Sequence, residues 1–418
     1  MKNLDDLKDL ARDAKENIDF YSDLYKDIEI DEIESREEFQ EKIPSISKDR
    51  MIKYYEDGSF DLDSENIESP LLGRPTSGTT SEMACYYRTK KEIDDHVQRF
   101  IEATSHYFNA GKNKDRVLIA TTFSLAPILT RQFLEKGVMV TSASPFDIER
   151  TVETFISMEC NTLVCSPPVA LKISERLEER GYEGLEKYYF VSSGVSSLTE
   201  SRFKELFPES EIMLQYGLAE TGILMKQCKN LKGENSYHLF SSEKPFDYEF
   251  LKENGEEAEE EEIGEIVITK FSKNTPLIRY KVGDLFKVGN TCECGERTYE
   301  FIGRKEDKFK LKGVTIFNDR LEEALEPVEH LVKQYQIIID EIEDEEGPKP
   351  KIYIRTELKE NSDEIRNKIA ETFSESFQVA EDYNWKKGVD MDLFAPVEVE
   401  NVEFKERKFR QVKDERYK

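Results

Sequence analysis

Four short apolar runs, each separated from the next by an amphipathic stretch, restrict the fold of this chain most strongly. Two of the separating stretches, Ile148–Met158 and Val169–Arg180, have helical periodicity. Apolar strands joined by helical crossovers are typical of a mainly parallel sheet that is covered on both faces. The region between residues 70 and 210 is therefore predicted to be α/β. The four runs are Val117–Ala120, Val138–Val140, Thr162–Cys165 and Tyr189–Val191.

The segments on either side of this region have different patterns. Apolar residues from Leu7 to Ala14 have helical spacing, which predicts short helices before residue 70. After residue 230, Tyr248–Phe250 and Glu265–Ile268 resemble antiparallel strands. The acidic stretch 253–262 between them is predicted to be a solvated hairpin loop. The α/β region is thus expected to continue into an antiparallel subdomain.

A break in the pattern at Gly303-Arg304 predicts a domain boundary. The chain has 418 residues, whereas one domain typically has roughly 100–200. We predict a large domain over residues 1–303 and a small, mobile α+β domain over residues 304–418. The strands predicted for the small domain are Phe309–Leu311 and Tyr335–Ile339, and the helices are Arg320–Leu325 and Glu364–Thr372.

The charge balance excludes some classes of partner. Lys and Arg total 60 against 88 Asp and Glu, a net charge of −28, and such a field repels nucleic acid and anionic membranes. No run of 18 apolar residues occurs, and the N-terminus lacks the profile of a signal peptide, so we expect a cytoplasmic protein. Neither nucleic acid nor a membrane is expected as a partner.

A hydroxyl-rich loop, Thr76–Ser81, carries the first chemical signal. Small residues such as Gly78 let the backbone approach a polyphosphate, and consecutive amide groups can form an anion-binding nest. The hydroxyls of Ser77, Thr79 and Thr80 add hydrogen-bond donors. The loop has neither a Walker A sequence nor a dinucleotide fingerprint. It suits a nucleotide triphosphate, and a Ser/Thr-rich turn without a ligand is the competing interpretation.

A second signal, Gln215–Thr221, follows the apolar run Ile212–Leu214. A strand that delivers an aromatic ring, a glycine and a carboxylate at its carboxyl end could stack a base on Tyr216 and hold Mg²⁺ through Glu220. In a third segment, Arg279–Asp284, the terminal carboxylate could accept both hydroxyls of a ribose. These segments together predict a nucleotide site.

Taken in order, these segments resemble the motifs of the adenylate-forming superfamily, and most closely its phenylacetate-CoA ligase branch. The resemblance extends from Asn17–Tyr21 to the C-terminus and is particularly close between Cys294 and Val314. It implies that the hydroxyl-rich loop holds the β and γ phosphates of ATP, that the ring of Tyr216 stacks on adenine and that Glu220 binds Mg²⁺. The ATP or AMP contacts predicted in this way are Ser77, Gly78, Thr79, Thr80, Ser193, Gly194, Gln215, Tyr216, Gly217, Thr221, Asp284 and Arg304.

The C-terminal segment Arg407–Asp414 resembles the end of the family's sequence. The resemblance implies that Lys408 is the catalytic lysine, which reaches the α-phosphate and the carboxylate as charge builds up. Glu220 and Thr79 are the other predicted catalytic residues, and Glu306 takes the place of the family's hinge Asp. Lys405 and Lys413 compete for the assignment of the lysine, and a solvated basic tail is the alternative interpretation.

The resemblance implies an enzyme that activates a small organic carboxylic acid with ATP and Mg²⁺ and then transfers the acyl group to the thiol of CoA. Transfer to an amine, a carrier protein or a cofactor stays open, as in amide ligases or deazaflavin-cofactor adenylyltransferases. A regulatory relative without catalysis and a structural protein are further alternatives, and a second copy of the chain is a candidate partner. The stretch Thr121–Ser124, expected to line the acyl pocket, matches no substrate class, and Ser81-Glu82-Met83 departs from the usual end of the phosphate loop.

Cysteine spacing indicates a second site. Cys292 and Cys294 form a close thiol pair on a predicted turn, and Cys228 and His238 could complete a tetrahedral Cys₃His site for structural Zn²⁺. Free thiols in a loop are the alternative. The remaining cysteines, Cys85, Cys160 and Cys165, are predicted to pack in the core, and no role is predicted for His96, His106 or His330.

Overall fold

The computed structural model describes most of the chain in two compact units. The larger unit ends at Ile302 and the smaller unit begins at Gly303. No helix among the described residues is long and apolar enough to cross a bilayer. The described residues are 2–47, 50, 71–75, 85–109, 115–121, 125–191, 197–231, 235–240, 245–272, 275–305, 308–311, 314–344, 347–380, 383–404 and 412–414.

The helices of the larger unit are α1 (Leu4–Asn17), α2 (Asp19–Leu24), α3 (Arg36–Lys42), α4 (Lys90–Ala103), α5 (Ala126–Lys136), α6 (Ile148–Ser157), α7 (Pro167–Glu179) and α8 (Ser197–Leu206). A 3₁₀ helix spans Ile30–Glu32. The strands are β1 (Leu71–Pro75), β2 (Cys85–Thr89), β3 (Arg116–Ala120), β4 (Met139–Ala143), β5 (Thr162–Cys165), β6 (Lys187–Val191), β7 (Glu211–Leu218), β8 (Gly222–Lys226), β9 (Ser236–Leu239), β10 (Phe246–Leu251), β11 (Ile263–Lys270), β12 (Leu277–Thr291) and β13 (Arg297–Arg304).

Eleven of these strands form one sheet among the described residues, in the order β10-β11-β12-β13-β9-β8-β7-β6-β5-β3-β4. Strands β3 to β7 run parallel to their neighbours. Strand β7 is the boundary, because it is parallel to β6 and antiparallel to β8. The predicted α/β class and the change to antiparallel pairing are both confirmed.

The parallel strands are buried on both faces, and this explains their continuous apolar sequences. Alternate side chains point to opposite faces of a strand. In β3, Leu118 belongs to the core that includes α6 and α7, whereas Val117 and Ile119 belong to the core that includes α4 and α5. The same alternation recurs in β7, where Leu214 and Met213 lie in different cores. Both faces of the sheet are therefore covered by helices.

The N-terminal helices pack against strand β12. The side chain of Asn3 caps α1 by accepting from the backbone of Asp6, and the buried face of the helix contains Leu7, Ala11 and Ala14, as its spacing predicted. The core of this segment also includes Ile278 and Tyr280 of β12.

Arg279 fixes the path of strand β12 beside these helices. Its φ is +51°, unusual for a residue other than glycine. Its buried guanidinium donates two hydrogen bonds to Glu249, with lengths of 3.0 and 2.9 Å, and others to the backbone carbonyls of Gln40 and Ile43. These contacts join α3, β10 and β12 and hold the unusual backbone conformation.

The smaller unit has its own core around a long antiparallel hairpin. Strands β16 and β17 pair along their length, while β21 and β20 add to the two sides in parallel. Its strands are β14 (Lys308–Leu311), β15 (Val314–Phe317), β16 (Val332–Asp344), β17 (Gly347–Leu358), β18 (Gln378–Ala380), β19 (Tyr383–Asn384), β20 (Glu398–Asn401) and β21 (Val412–Asp414). Its helices are α9 (Asn318–Leu325), α10 (Asp363–Ser376) and α11 (Trp385–Asp390), with a 3₁₀ helix at Glu326–Leu331.

The close approach of strands β7 and β8 leads to a stability prediction. A Cβ added at Gly217 would lie 2.5 Å from the carbonyl oxygen of Gly222, so Gly217→Ala should destabilise the larger unit by about 3 kcal/mol. As a control, Gly255→Ala meets no neighbouring atom and should cost about 1 kcal/mol, from its positive φ alone. Thermal denaturation of both variants measures the difference, and equal destabilisation would contradict the packing argument.

Candidate active site

Strand β7 presents three of the predicted nucleotide residues at its carboxyl end. Ile212, Met213 and Leu214 are buried and anchor the strand in the sheet, and Gln215, Tyr216 and Gly217 follow them. Gln215 is opposite Val191 of β6, and its side-chain oxygen accepts a hydrogen bond from Tyr189. In parallel sheets, ligands bind beyond the carboxyl ends of the strands, and β7 ends in such a position.

Tyr216 is linked directly to Asp284. The Tyr216 hydroxyl donates a hydrogen bond of 2.7 Å to Oδ2 of Asp284, and the two residues are only 7% and 3% exposed. The ring of Tyr216 makes an edge-to-face contact with Phe286, with 4.9 Å between the ring centroids. The sequence predicted Tyr216 and Asp284 as parts of one nucleotide site, and the structure brings their side chains into contact.

Glu220 lies in the turn between β7 and β8. Its Oε1 accepts a hydrogen bond of 2.9 Å from the Tyr280 hydroxyl, and Glu220 is 8% exposed. Tyr280 and Asp284 both belong to β12. Two side chains of β12 therefore hold two predicted functional side chains of the β7 segment.

Two buried arginines fix the backbone of this turn. Arg88 donates to the carbonyl of Ala219, and Arg99 donates to the carbonyls of Thr221 and Ile223, at 3.4 and 3.2 Å. The carbonyls of the residues on both sides of Glu220 are thus held by guanidinium groups. Neither arginine was predicted from the sequence, because charged side chains usually face solvent.

His96 also packs against this turn. Its Nε2 accepts a hydrogen bond of 3.3 Å from the backbone N–H of Ile223, and its Nδ1 lies 3.0 Å from Nη1 of Arg88. A Cβ at Gly222, whose φ is +78°, would lie 2.9 Å from the His96 ring. The glycine is therefore required both by its backbone conformation and by the histidine, and His96 is buried, with these contacts as its partners.

Several predicted site residues lie outside the described part of the chain. They are Ser77, Gly78, Thr79, Thr80, Ser193, Gly194, Glu306 and Lys408. Arg304 is described, and it is an exposed residue at the end of β13. Lys413, the competitor of Lys408, lies in β21 opposite Ile338.

The four predicted metal ligands meet in one cluster. Cys228 follows β8, His238 lies in β9, and Cys292 and Cys294 lie in the turn between β12 and β13. Their ligand atoms all lie within 4.8 Å of one another. Cys160 and Cys165 are buried in the core, as predicted.

The distances in this cluster match a tetrahedral site. The sulfurs of Cys228 and Cys292 are 3.8 Å apart, and His238 Nε2 lies 3.4 Å from Cys228 Sγ and 3.3 Å from Cys294 Sγ. Zinc–ligand bond lengths imply about 3.8 Å between two sulfurs and about 3.5 Å between sulfur and nitrogen. The cluster therefore has the dimensions of a four-ligand metal site.

The surroundings of the cluster suit metal ligation. His238 Nδ1 lies 2.8 Å from the carbonyl oxygen of Arg297, which selects the tautomer with its proton on Nδ1 and leaves Nε2 as the ligand atom. A hydrogen bond from the backbone N–H of Cys294 lowers the pKa of the Cys292 thiol. Because the thiolate is the form that binds metal, this contact favours ligation by Cys292, whereas burial raises the pKa of the Cys228 thiol to about 11.

Known proteins share both sequence and fold with this chain. The phenylacetate-coenzyme A ligase of Escherichia coli strain K12 is 25% identical over 335 residues, which cover 77% of this chain and 73% of the relative. The phenylacetate-coenzyme A ligase of Thermus thermophilus is 24% identical over 356 residues, covering 80% and 76%. No family model matches the chain.

Solved structures share the fold at lower sequence identity. A 2-hydroxyisobutyryl-CoA ligase in complex with its acyl-AMP has a TM-score of 0.73 and 16% identity, covering 99% of this chain and 89% of the other. The same ligase with acyl-AMP and CoA, in its thioesterification state, has a TM-score of 0.62 and 16% identity, covering 99% and 89%. An acyl acid amido synthetase, AtGH3.15, has a TM-score of 0.64 and 13% identity, covering 95% and 85%.

The order of the motifs, the fold and the curated relatives agree. The chain is therefore similar in sequence to phenylacetate-coenzyme A ligases, and it shares the fold of a 2-hydroxyisobutyryl-CoA ligase.

Proposed function

We propose that this chain activates a small organic carboxylic acid with ATP to an acyl-adenylate and transfers the acyl group to the thiol of CoA. The observation that carries the proposal is the contact between Tyr216 and Asp284, together with the hydrogen bond to Glu220 from Tyr280, which lies in the same strand as Asp284. An aromatic ring, a ribose acceptor and a magnesium ligand are the groups that this reaction needs together. The two relatives above bear the name of a CoA ligase, which supports the thiol as acceptor.

The proposal assigns the nucleoside of ATP to Tyr216 and Asp284. The ring of Tyr216 offers a flat surface for adenine. The carboxylate of Asp284 has several acceptor positions, and the Tyr216 hydroxyl uses one of them and fixes the orientation of the group. An oriented carboxylate binds two vicinal ribose hydroxyls with less loss of side-chain entropy.

Glu220 is the proposed ligand of Mg²⁺. It is a buried carboxylate, and such a group is stable in charged form only with compensating partners. The Tyr280 hydroxyl is one such partner, and the carbonyls on either side of Glu220 are held by Arg99 and Arg88, so the backbone of the residue is fixed. Oxygen ligands on a fixed backbone suit Mg²⁺, which would neutralise the charge of the polyphosphate.

The proposed chemistry has two displacement steps. A carboxylate oxygen of the acid bonds to the α-phosphorus of ATP, and the bond to pyrophosphate breaks. The thiol sulfur of CoA then bonds to the acyl carbon after loss of its proton, and AMP leaves with the oxygen that came from the acid. The ammonium of Lys408 is assigned to the first step, where negative charge builds up between the carboxylate and the α-phosphate.

Acid-dependent exchange between pyrophosphate and ATP tests the first step. We expect exchange with at least one member of a panel of small aliphatic and aromatic acids, and Glu220→Gln should lower the rate about 100-fold because charge stabilisation is lost. The control variant Glu256→Gln changes an exposed carboxylate in the hairpin loop and should keep the rate. Exchange that is unaffected by Glu220→Gln would reject the assignment, and no exchange with any acid would reject adenylation.

A substitution of Lys408 is expected to affect only the first of the two half-reactions. Lys408→Ala should abolish formation of the adenylate but leave thioester formation from a synthetic acyl-adenylate within about threefold of the unmodified protein, because the lysine stabilises charge only in the first transition state. Lys413→Ala is the control for the competing assignment and should keep both activities. Equal loss of the two half-reactions in Lys408→Ala would contradict this division.

The cluster of Cys228, His238, Cys292 and Cys294 is proposed to hold a structural Zn²⁺. Three sulfurs and one imidazole nitrogen are ligands that zinc prefers, and four protein ligands leave no coordination position for a substrate. The ligands join the end of β8 and strand β9 to the β12–β13 turn. Zinc would therefore brace the antiparallel part of the sheet.

Metal analysis tests this site. Protein purified without added zinc should contain about one equivalent, and Cys292→Ser should lower the content and the melting temperature, because a closed tetrahedral site contributes to folding. Cys160→Ala is the control, since Cys160 is a core cysteine outside the cluster, and it should retain the metal. Well under one equivalent in the unmodified protein would refute the site.

A further inference from the structure

The larger unit contains a cavity of about 260 Å³ beside the β7–β8 turn. The first turns of α4 and residues at the start of β10 and at the end of β11 line it. Of the described residues assigned to the nucleotide, only Thr221 contributes to the lining. Tyr216, Glu220 and Asp284 are absent from the described part of its wall, so among these residues the cavity adjoins the candidate active site only through Thr221.

The wall of the cavity carries an excess of positive charge. Four cationic side chains line it, and two carboxylates, Glu92 and Asp95, oppose them. This balance is the reverse of the chain as a whole, whose net charge is −28. The four cationic residues are Arg88, Lys91, Arg99 and Lys270.

Arg99 is the most deeply buried of these cations. It is 2% exposed, and its Nε and Nη2 donate to backbone carbonyls, whereas Nη1 has no acceptor among the described residues. No carboxylate in the described part of the chain forms an ion pair with Arg99. Its guanidinium lies over the ring of Phe246, 4.9 Å from the centroid. A buried cation with an unused donor beside a cavity favours an anion in that cavity.

Lys270 is also buried, but it has a charged partner. Its Nζ lies 2.8 Å from Oε1 of Glu92 and 2.8 Å from Oγ1 of Thr275. An ammonium has three donors, so one remains after these two contacts. Burial lowers the pKa of Lys270, and the charge of Glu92 opposes that shift. Since Glu92 neutralises Lys270, the positive excess of the wall comes from Arg88, Lys91 and Arg99, against Asp95.

We propose that this cavity binds a small oxyanion, that is, a carboxylate or phosphoryl group, on the side chains of Arg99 and Lys91. A guanidinium presents a planar fork of donors that matches both groups, and an ammonium adds a point charge. The rings of Phe246 and Phe271 in the wall leave room for a short apolar body attached to the anion. This inference does not depend on the proposed reaction, since it concerns other side chains.

The position of Arg99 connects the cavity to the candidate active site. The same guanidinium that faces the cavity donates to the carbonyl of Thr221, directly after Glu220 in the chain. Arg99 is therefore an anion ligand and, through the backbone, a positioning residue for the turn that carries Glu220.

Isothermal titration with two probe anions, inorganic phosphate and benzoate, tests the proposal in low-salt buffer, where electrostatic binding is strongest. We expect at least one probe to bind, and the tighter one shows whether the site prefers a phosphoryl or a carboxylate group. Arg99→Gln should weaken binding about tenfold and Lys91→Ala about threefold, because a charge-assisted hydrogen bond and a point charge are lost. Lys90→Ala is the matched control, since Lys90 neighbours Lys91 but lies outside the cavity wall and pairs with Asp94.

Two results would overturn the proposal. One is that neither anion binds, and the other is that Lys91→Ala binds as tightly as Lys90→Ala, which would place the anion elsewhere, including at the nucleotide site. Arg99→Lys serves as a second variant if Arg99→Gln does not fold, and it should bind more weakly than the unmodified protein because it loses the guanidinium fork. The readout is binding, so failure of the proposed reaction would not affect it.

Discussion

The hydrogen bond between the Tyr216 hydroxyl and Asp284 is the contact on which the account of the site depends. Strands β7 and β12, which carry the two residues, are not neighbours in the sheet, so only the completed fold brings them together. A second hydrogen bond, from Tyr280 of β12 to Glu220 in the β7–β8 turn, also links these two parts of the chain. Strand β12 is itself fixed by Arg279, whose buried guanidinium binds Glu249 and the backbone of the N-terminal segment. The N-terminal helices thus support the site without contributing a predicted functional residue.

The parallel half of the sheet could be predicted from the sequence because its signals are local. Strand Thr162–Cys165 has the predicted limits, and the helix at Ile148–Ser157 ends one residue before its predicted end. The antiparallel strands were recognised, but their union with the parallel strands into one sheet was not. Pairing between strands distant in sequence depends on contacts that no local pattern reveals. The glycine at position 217 illustrates this, because the backbone of β8 approaches it so closely that a Cβ would collide.

For both sites, the sequence indicated which residues to consider, but not how deeply each side chain is buried or what it contacts. The sequence indicated Cys228, His238, Cys292 and Cys294 as a set of metal ligands, and the structure brings their ligand atoms within 4.8 Å of one another. Arg88 in β2 and His96 and Arg99 in α4 gave no such signal, because charged and polar side chains normally face water. These three side chains are buried where the β7–β8 segment packs against β2 and α4. The two arginines donate to its backbone carbonyls, and His96 accepts from the backbone N–H of Ile223. The motif residues could therefore be named from local sequence, whereas the buried side chains that position them could not.

The fate of one oxygen atom tests the central claim most directly. An acid that supports pyrophosphate exchange, labelled with ¹⁸O in both carboxylate oxygens, would be converted with ATP and CoA, and the products would be analysed by mass spectrometry. If the site forms an acyl-adenylate, each turnover transfers one labelled oxygen to AMP and leaves the other in the thioester. Unlabelled AMP, or label found in inorganic phosphate together with ADP, would show that the carboxylate does not attack the α-phosphorus and would contradict the account.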